Sequence, residues 1–225
     1  MLPKKNLRGE GMETEVMKIF DDNRMYLGVA TRQKVHAAGY WHETFHCWFV
    51  SLEEGKVNLY FQIRSASKKD YPNLLDITAA GHILAHEKIA DGVREIKEEI
   101  GIDIAYDQLI PLGIIDYKVV HKDLIDNELA NVFLHQFSDN FDKFNVQIDE
   151  VSGIVKADFN EFCDFWSGGR EYIRIKGFEM KDGERKSIDK KVDKSAFVQH
   201  GDSYYNDVLA LIQESTRTNF FRKSV

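Results

Sequence analysis

Apolar side chains between residues 16 and 64 come in short bursts, the pattern of strands rather than of helices. Met17 to Phe20 and Met25 to Ala30 flank the polar triplet Asp21-Asp22-Asn23, which predicts strand, turn, strand. Residues 31–37 predict a short helix. The aromatic run FHCWFVS at 45–51, the turn Glu53-Glu54-Gly55 and VNLYFQIR at 57–64 predict two paired central strands. Aromatic and β-branched residues suit such a pleated, half-buried surface. Residues 65–73 form a polar loop broken by Pro72. The period then changes. Ile89, Val93, Ile96 and Ile100 fall at i, i+4, i+7 and i+11, a buried stripe on a helix over about 88–100 that Gly101 stops.

Strand patterns follow at 110–119, 129–137 and near 151–156, with a helix at about 159–166. The last part of the chain combines β-prone EYIRIKGF, a hairpin-like charged stretch MKDGERKSIDKK, and a helical face of Tyr205, Val208, Leu209 and Ile212 within 202–216. This divides the chain into a loose N-terminus (1–11), a main domain (12–167) and a C-terminal α/β extension (168–225). The extension is expected to pack on the domain or to lie at a contact between two copies of the chain.

Composition narrows the partners. With 43% hydrophobic and 30% charged residues, the chain has the make-up of an ordinary globular protein. Its net charge of −7, with no stripe of Lys and Arg, makes nucleic acid an unsuitable main partner, because such binding draws on cationic contacts to phosphate. An acidic protein still binds phosphates where a metal ion supplies the positive charge. Cys47 and Cys163 form no CxxC pair, which predicts reduced thiols and a cytoplasmic location. The first residues lack an apolar signal-like core, and no apolar run nears the roughly 20 residues that span a bilayer. No membrane role is expected.

The chemistry concentrates in GHILAHEKIADGVREIKEEIGI, residues 81–102. Residues three and four apart share a helix face, so Glu95 lies beside Glu98 and Glu99, and Arg94 beside Glu98. A run of charges is most often a solvated face. Here the run adjoins a buried apolar stripe, and crowding three carboxylates raises their pKa values unless a hard cation such as Mg²⁺ sits among them.

The segment resembles the Nudix box, G-x5-E-x7-R-E-U-x-E-E-x-G-U, where U is a bulky aliphatic residue. Gly81, Glu87, Arg94, Glu95, Ile96, Glu98, Glu99, Gly101 and Ile102 supply every defined residue type, but six residues rather than seven separate Glu87 from Arg94. The resemblance implies an α/β/α sandwich with a mixed sheet and Mg²⁺-dependent hydrolysis (Mn²⁺ as a substitute) of a nucleoside diphosphate derivative or similar small diphosphate. It assigns Glu95, Glu98, Glu99 and the Gly81 carbonyl to the metal, and Arg94 to orienting the glutamates. The water's proton would go to Glu98 or to a carboxylate from another loop. It also leaves a homodimer open.

A wider likeness, over roughly 16–160, is to the Nudix branch nearest isopentenyl-diphosphate isomerase. It is carried by VHAAGYWHETFHCWFV, IRSASKKDYPNLLDITAAGH and DNELANVFL. By that resemblance His42, His82 and Glu128 match metal-binding positions, Asp126 and His36 less closely. The isomerase has a cysteine just before its Gly-His pair, where this chain has Ala80, which transfers no proton. Hydrolysis is therefore favoured over isomerisation, with a non-catalytic diphosphate sensor as a third reading. Glu128 is the leading candidate outside the box, as base or ligand. His42, His82, Arg64 and Lys68 are candidates for holding substrate, Arg64 because guanidinium suits bidentate phosphate contacts. Lys69, Trp41, Tyr71 and His46 are weaker candidates.

Overall fold

The computed structural model describes residues 15–121, 124–200 and 202–219, so the expected loose segment 1–11 lies outside the described residues. The elements are β1 (Val16–Phe20), β2 (Tyr26–Thr31), α1 (Arg32–Ala38), β3 (Trp41–Glu53), β4 (Lys56–Arg64), β5 (Leu75–Asp76) and β6 (Ala79–His82). They continue with α2 (Val93–Ile100), β7 (Ile110–His121), β8 (Leu124–Gln136), β9 (Val151–Asp158), α3 (Phe159–Trp166), β10 (Ile173–Lys181), β11 (Glu184–Val192) and α4 (Asp202–Asn219).

The strands form one sheet, ordered β11-β10-β9-β4-β3-β1-β2 along its main path. β3 organises it. Its last residues pair antiparallel with β4, its middle with β6, and residues 41–50 run parallel to β8, which makes the sheet mixed. Alternation along β3 separates two cores. Phe45, Cys47 and Phe49 point to the side where Ile96 and Ile100 of α2 pack. Trp48 and Val50 point to the other side, against Phe162 and Phe165 of α3 and Tyr204, Tyr205, Val208 and Ile212 of α4. Helices thus cover both faces, the α/β/α arrangement expected from the sequence.

β3 begins at Trp41, four residues before the aromatic run that signalled it. The physical reason is that His42, Thr44 and His46 are polar yet buried, and share the face of Trp48 and Val50. A buried polar stretch has no hydrophobic alternation to show. The helix expected at 88–100 opens as a 3-10 turn, Ile89–Gly92, before the α-helical residues. It ends where Gly101 adopts φ 74° and donates to the Lys97 carbonyl at 3.1 Å. That backbone suits glycine, and a Cβ there would lie 2.5 Å from the Asn145 carbonyl oxygen.

The C-terminal residues lengthen the same sheet. β10 pairs with β9, and β11 with β10, in an antiparallel hairpin turning at Asp182 and Gly183. β11 lies at the sheet's end with a mostly exposed and charged sequence, a protection against edge pairing. The chain then crosses β5, where the Val198 N–H meets the Leu75 carbonyl at 2.9 Å, and enters α4. Among the described residues no helix is long and apolar enough to cross a membrane.

Candidate active site

Arg94 is the hub of the carboxylate helix. Its Nε and Nη2 grip the two oxygens of Glu87 at 2.5 and 3.0 Å, Nη1 reaches Glu95 at 2.6 Å and Glu98 at 3.3 Å, and Nη2 also donates to the His82 carbonyl at 3.0 Å. Glu87, itself held by the Leu84 N–H at 2.8 Å, is therefore a brace for Arg94 despite the shortened loop. Glu99 accepts from the Ala80 N–H at 3.0 Å and from Gln62 at 3.3 Å. The side chain of Glu98 is 62% exposed, that of Glu95 only 13%.

These surroundings disfavour charge. Burial pushes the Glu95 carboxyl up to about 7, with the charge of Glu98 adding to it and Arg94 opposing. Burial and the charge of Glu95 push Glu99 up to about 8. Two buried carboxyls that cling to their protons, beside a third open to solvent, form a donor set that a divalent cation would relieve. Gly81 belongs to the same constellation, because a Cβ there would lie 2.2 Å from the Glu95 carboxyl. Gly81→Ala is expected to fold, since a flexible carboxyl can swing away, but to weaken Mn²⁺ affinity roughly 10–100-fold, as misdirected ligands do. Calorimetric titration checks this.

A second cluster lies beside the first. His36 on α1, His42 on β3 and His82 on β6 bring ring nitrogens within 4.8 Å of one another, and His42, Asp126 and Glu128 do the same. His36 Nδ1 lies 2.9 Å from the Arg32 carbonyl and His42 Nδ1 lies 3.2 Å from that of Tyr40, so each Nδ1–H is used and each Nε2 lone pair is left for another partner. Both Nε2 atoms face Asp126 Oδ1, at 3.4 and 3.6 Å. His42 Nε2 and Asp126 Oδ1 are buried without a hydrogen bond among the described residues. Burial holds His42 and His82 below the usual imidazole pKa, which keeps them neutral. Neutral imidazoles and a carboxylate around orphaned atoms fit a first-row divalent metal.

Both clusters open on one cavity of about 560 Å³. Gly81, His82, Arg94, Glu95, Glu98, Glu99, Arg64, Lys68, Tyr71 and Glu128 all line it, so the structure gathers most of the residues singled out in the sequence. His42 is fully buried just behind the wall. Arg64 and Lys68 are already paired, Arg64 with Asp76 at 2.7 Å and Lys68 with Glu150. Trp41 lies elsewhere, donating to Asp22 at 2.9 Å with Lys118 over its ring.

The far wall was not legible in the sequence. Val198 and His200 reach the cavity from the C-terminal segment. His200 Nε2 lies 2.5 Å from Asp76 Oδ1 and its Nδ1 3.0 Å from the Tyr117 hydroxyl. In parallel, Tyr204 Oη lies 2.8 Å from His46 Nδ1, and His46 Nε2 lies 3.1 Å from Glu128 Oε2, which also accepts from Thr44 at 3.2 Å. Burial alone would raise the Glu128 carboxyl, but His46 and its neighbours hold it low and ionised. These contacts join residues more than eighty positions apart, and no local pattern announces them.

A mixed sheet between helices, with a bracketed run of glutamates at the mouth of a cavity, is the arrangement that the resemblance to the Nudix box implied. No family model matches the chain. It is 38% identical over 204 residues to an uncharacterised Nudix hydrolase of Clostridium acetobutylicum, covering 90% of this chain and 99% of that protein. It is 30% identical over 143 residues to Nudix hydrolase 3 of Arabidopsis thaliana, covering 60% of this chain and 18% of that protein. A crystal structure from Deinococcus radiodurans shares the fold, with a TM-score of 0.51 at 18% identity over 69% of this chain and 91% of that one. The chain belongs to the Nudix hydrolase family.

Proposed function

We propose that the protein hydrolyses a diphosphate linkage in a nucleoside diphosphate derivative or similar small organic diphosphate, with Mg²⁺ or Mn²⁺ as cofactor. The observation that carries this reading is the pair of largely covered carboxyls whose pKa burial raises, Glu95 and Glu99, fixed beside Glu98 by Arg94 and by the Ala80 N–H. Glu95, Glu98, Glu99 and the Gly81 carbonyl would hold the cation, which neutralises diphosphate charge and acidifies a water when bound. Arg94 orients the glutamates. Glu98, exposed at the cavity mouth, or Glu128, ionised at its wall, takes the proton from water. Arg64 and Lys68 hold substrate phosphate by exchanging part of their present carboxylate contacts for it.

In this reading residues 12–167 carry the chemistry and 168–225 pack on that domain. The protein works in the cytoplasm on a small molecule rather than on nucleic acid, and a dimer of two copies is compatible with it. Phosphate release from a panel of diphosphates, with Mg²⁺ and Mn²⁺ compared, tests the proposal. Turnover of at least one diphosphate that stops on chelation supports it, and inactivity on all of them removes it.

One observation favours a second reading within the family. The cluster of His36, His42, His82, Asp126 and Glu128 agrees with the resemblance to the isopentenyl-diphosphate isomerase branch. Ala80 speaks against that chemistry, because a methyl group moves no proton. Deuterium uptake into isopentenyl diphosphate is expected to be nil, and measurable uptake would reverse the ranking. Tight diphosphate binding in saturating Mg²⁺ without turnover would instead indicate a sensor.

A further inference from the structure

The segment beyond β11 completes two hydrogen-bond chains of the same make-up. Each links a buried carboxylate, an imidazole and a tyrosine: Glu128–His46–Tyr204 and Asp76–His200–Tyr117. Each has a single member from the C-terminal segment, Tyr204 in one and His200 in the other. The first chain ends on a carboxylate that lines the cavity.

The proton positions follow from the chemistry. Tyr204 is fully buried, and burial raises its hydroxyl pKa well above the ordinary value, so the hydroxyl keeps its proton. The Glu128 carboxylate only accepts, so His46 Nε2 donates to it and Nδ1, 2.8 Å from the Tyr204 hydroxyl, accepts. A neutral imidazole that accepts at Nδ1 carries its proton on Nε2, which here faces Glu128 Oε2 at 3.1 Å. Without the Tyr204 hydroxyl the Nε2–H form loses one of the two hydrogen bonds that select it, and the other tautomer gains population. That form sets an Nε2 lone pair against the carboxylate oxygen and leaves Thr44 as the donor that holds Glu128.

We propose that Tyr204 is a positioning residue for the active site, selecting the Nε2–H tautomer of His46 and thereby fixing Glu128 at the cavity wall. This rests on the reading of Glu128 as a residue of the site. The C-terminal segment is then a working part of the enzyme, and truncating it before α4 disarms Glu128 as well as exposing core.

The test uses the full chain, ¹⁵N-labelled on histidine, and Tyr204→Phe. Tyr205→Phe is the control. Tyr205 is the adjacent buried tyrosine of α4, its hydroxyl donates to the Val198 carbonyl at 3.2 Å, and among the described residues no hydrogen bond links it to His46 or Glu128. Nitrogen NMR is expected to find His46 in the Nε2–H form in the unaltered protein and in Tyr205→Phe, and in a tautomer mixture in Tyr204→Phe. On a diphosphate that the unaltered protein turns over with Mg²⁺, Tyr204→Phe should lower kcat roughly 10-fold or more and leave KM within about twofold, the effect of loosening a group's hydrogen-bonded support. Added to Glu128→Gln it should change kcat by less than about twofold, since the two act as one unit.

A His46 proton on Nδ1 in the unaltered protein overturns the proposal without any variant. So does a Tyr204→Phe protein with unaltered kcat, or losses that simply multiply with those of Glu128→Gln. If the unaltered protein turns over no diphosphate, the hydrolase reading fails, and the imidazole spectrum still decides this one.

Discussion

Glu98→Gln is expected to lower diphosphate hydrolysis by roughly 10²–10⁴-fold, the range for losing a positioned general base, while leaving the fold within about 0.5 kcal/mol of its original stability. The two halves of that expectation share one cause. The Glu98 side chain is 62% exposed, and among the described residues it is tied by the 3.3 Å contact with Arg94. Its charge is therefore held for the cavity rather than for the core. Glu99 should behave differently. Glutamine there still accepts from the Ala80 N–H, and it removes a buried carboxyl that resists ionisation. Glu99→Gln is thus expected to raise the melting temperature of the metal-free protein near pH 8 and yet to lose activity. Steady-state hydrolysis alongside thermal melts separates the two. Full activity in both variants would mean that the reaction site lies elsewhere.

The metal-free protein should lose stability as pH rises through neutrality, and a divalent cation should restore it. Glu95 and Glu99 rise from the ordinary 4.5 to about 7 and about 8 in the folded state. The folded protein thus binds protons that the unfolded chain has already released. The stabilisation from those protons is fully present below about pH 4.5 and disappears as pH climbs through about 7 and 8. Each tenfold difference in proton affinity corresponds to about 1.4 kcal/mol, so the fall amounts to a few kcal/mol for each carboxyl. In the proposed site Mg²⁺ or Mn²⁺ would take the place of the protons, and at a hundred times its dissociation constant would stabilise the fold by about 2.7 kcal/mol. Melting curves in chelator should therefore decline across this pH window, while those in saturating Mn²⁺ stay flatter. Proton release on Mn²⁺ binding, measured by calorimetry in two buffers, should grow as pH drops below the carboxyl pKa values. Parallel curves with and without cation would mean that these carboxyls hold no metal.

The sequence by itself determined the elements whose physics is local. Aromatic, β-prone runs set β3 and β4, the Ile89-to-Ile100 stripe and Gly101 set α2, and the three- and four-residue spacings put Arg94, Glu95, Glu98 and Glu99 on one stretch of helix. The glutamate cluster and the family likeness were legible for that reason. Side chains that meet within one or two turns leave their mark on spacing. The tertiary structure alone decided what the cluster faces. His36, His42, His82, Asp126 and Glu128 come together because β3 runs parallel to β8 in a register that sets His42 opposite Glu128. His200 reaches the cavity, and Tyr204 reaches His46 behind it, because the chain crosses β5 after β11 and turns into α4. A buried polar contact between distant strands has no period to detect, and its partners are chosen by sheet register and by the path of the chain, not by neighbours in sequence.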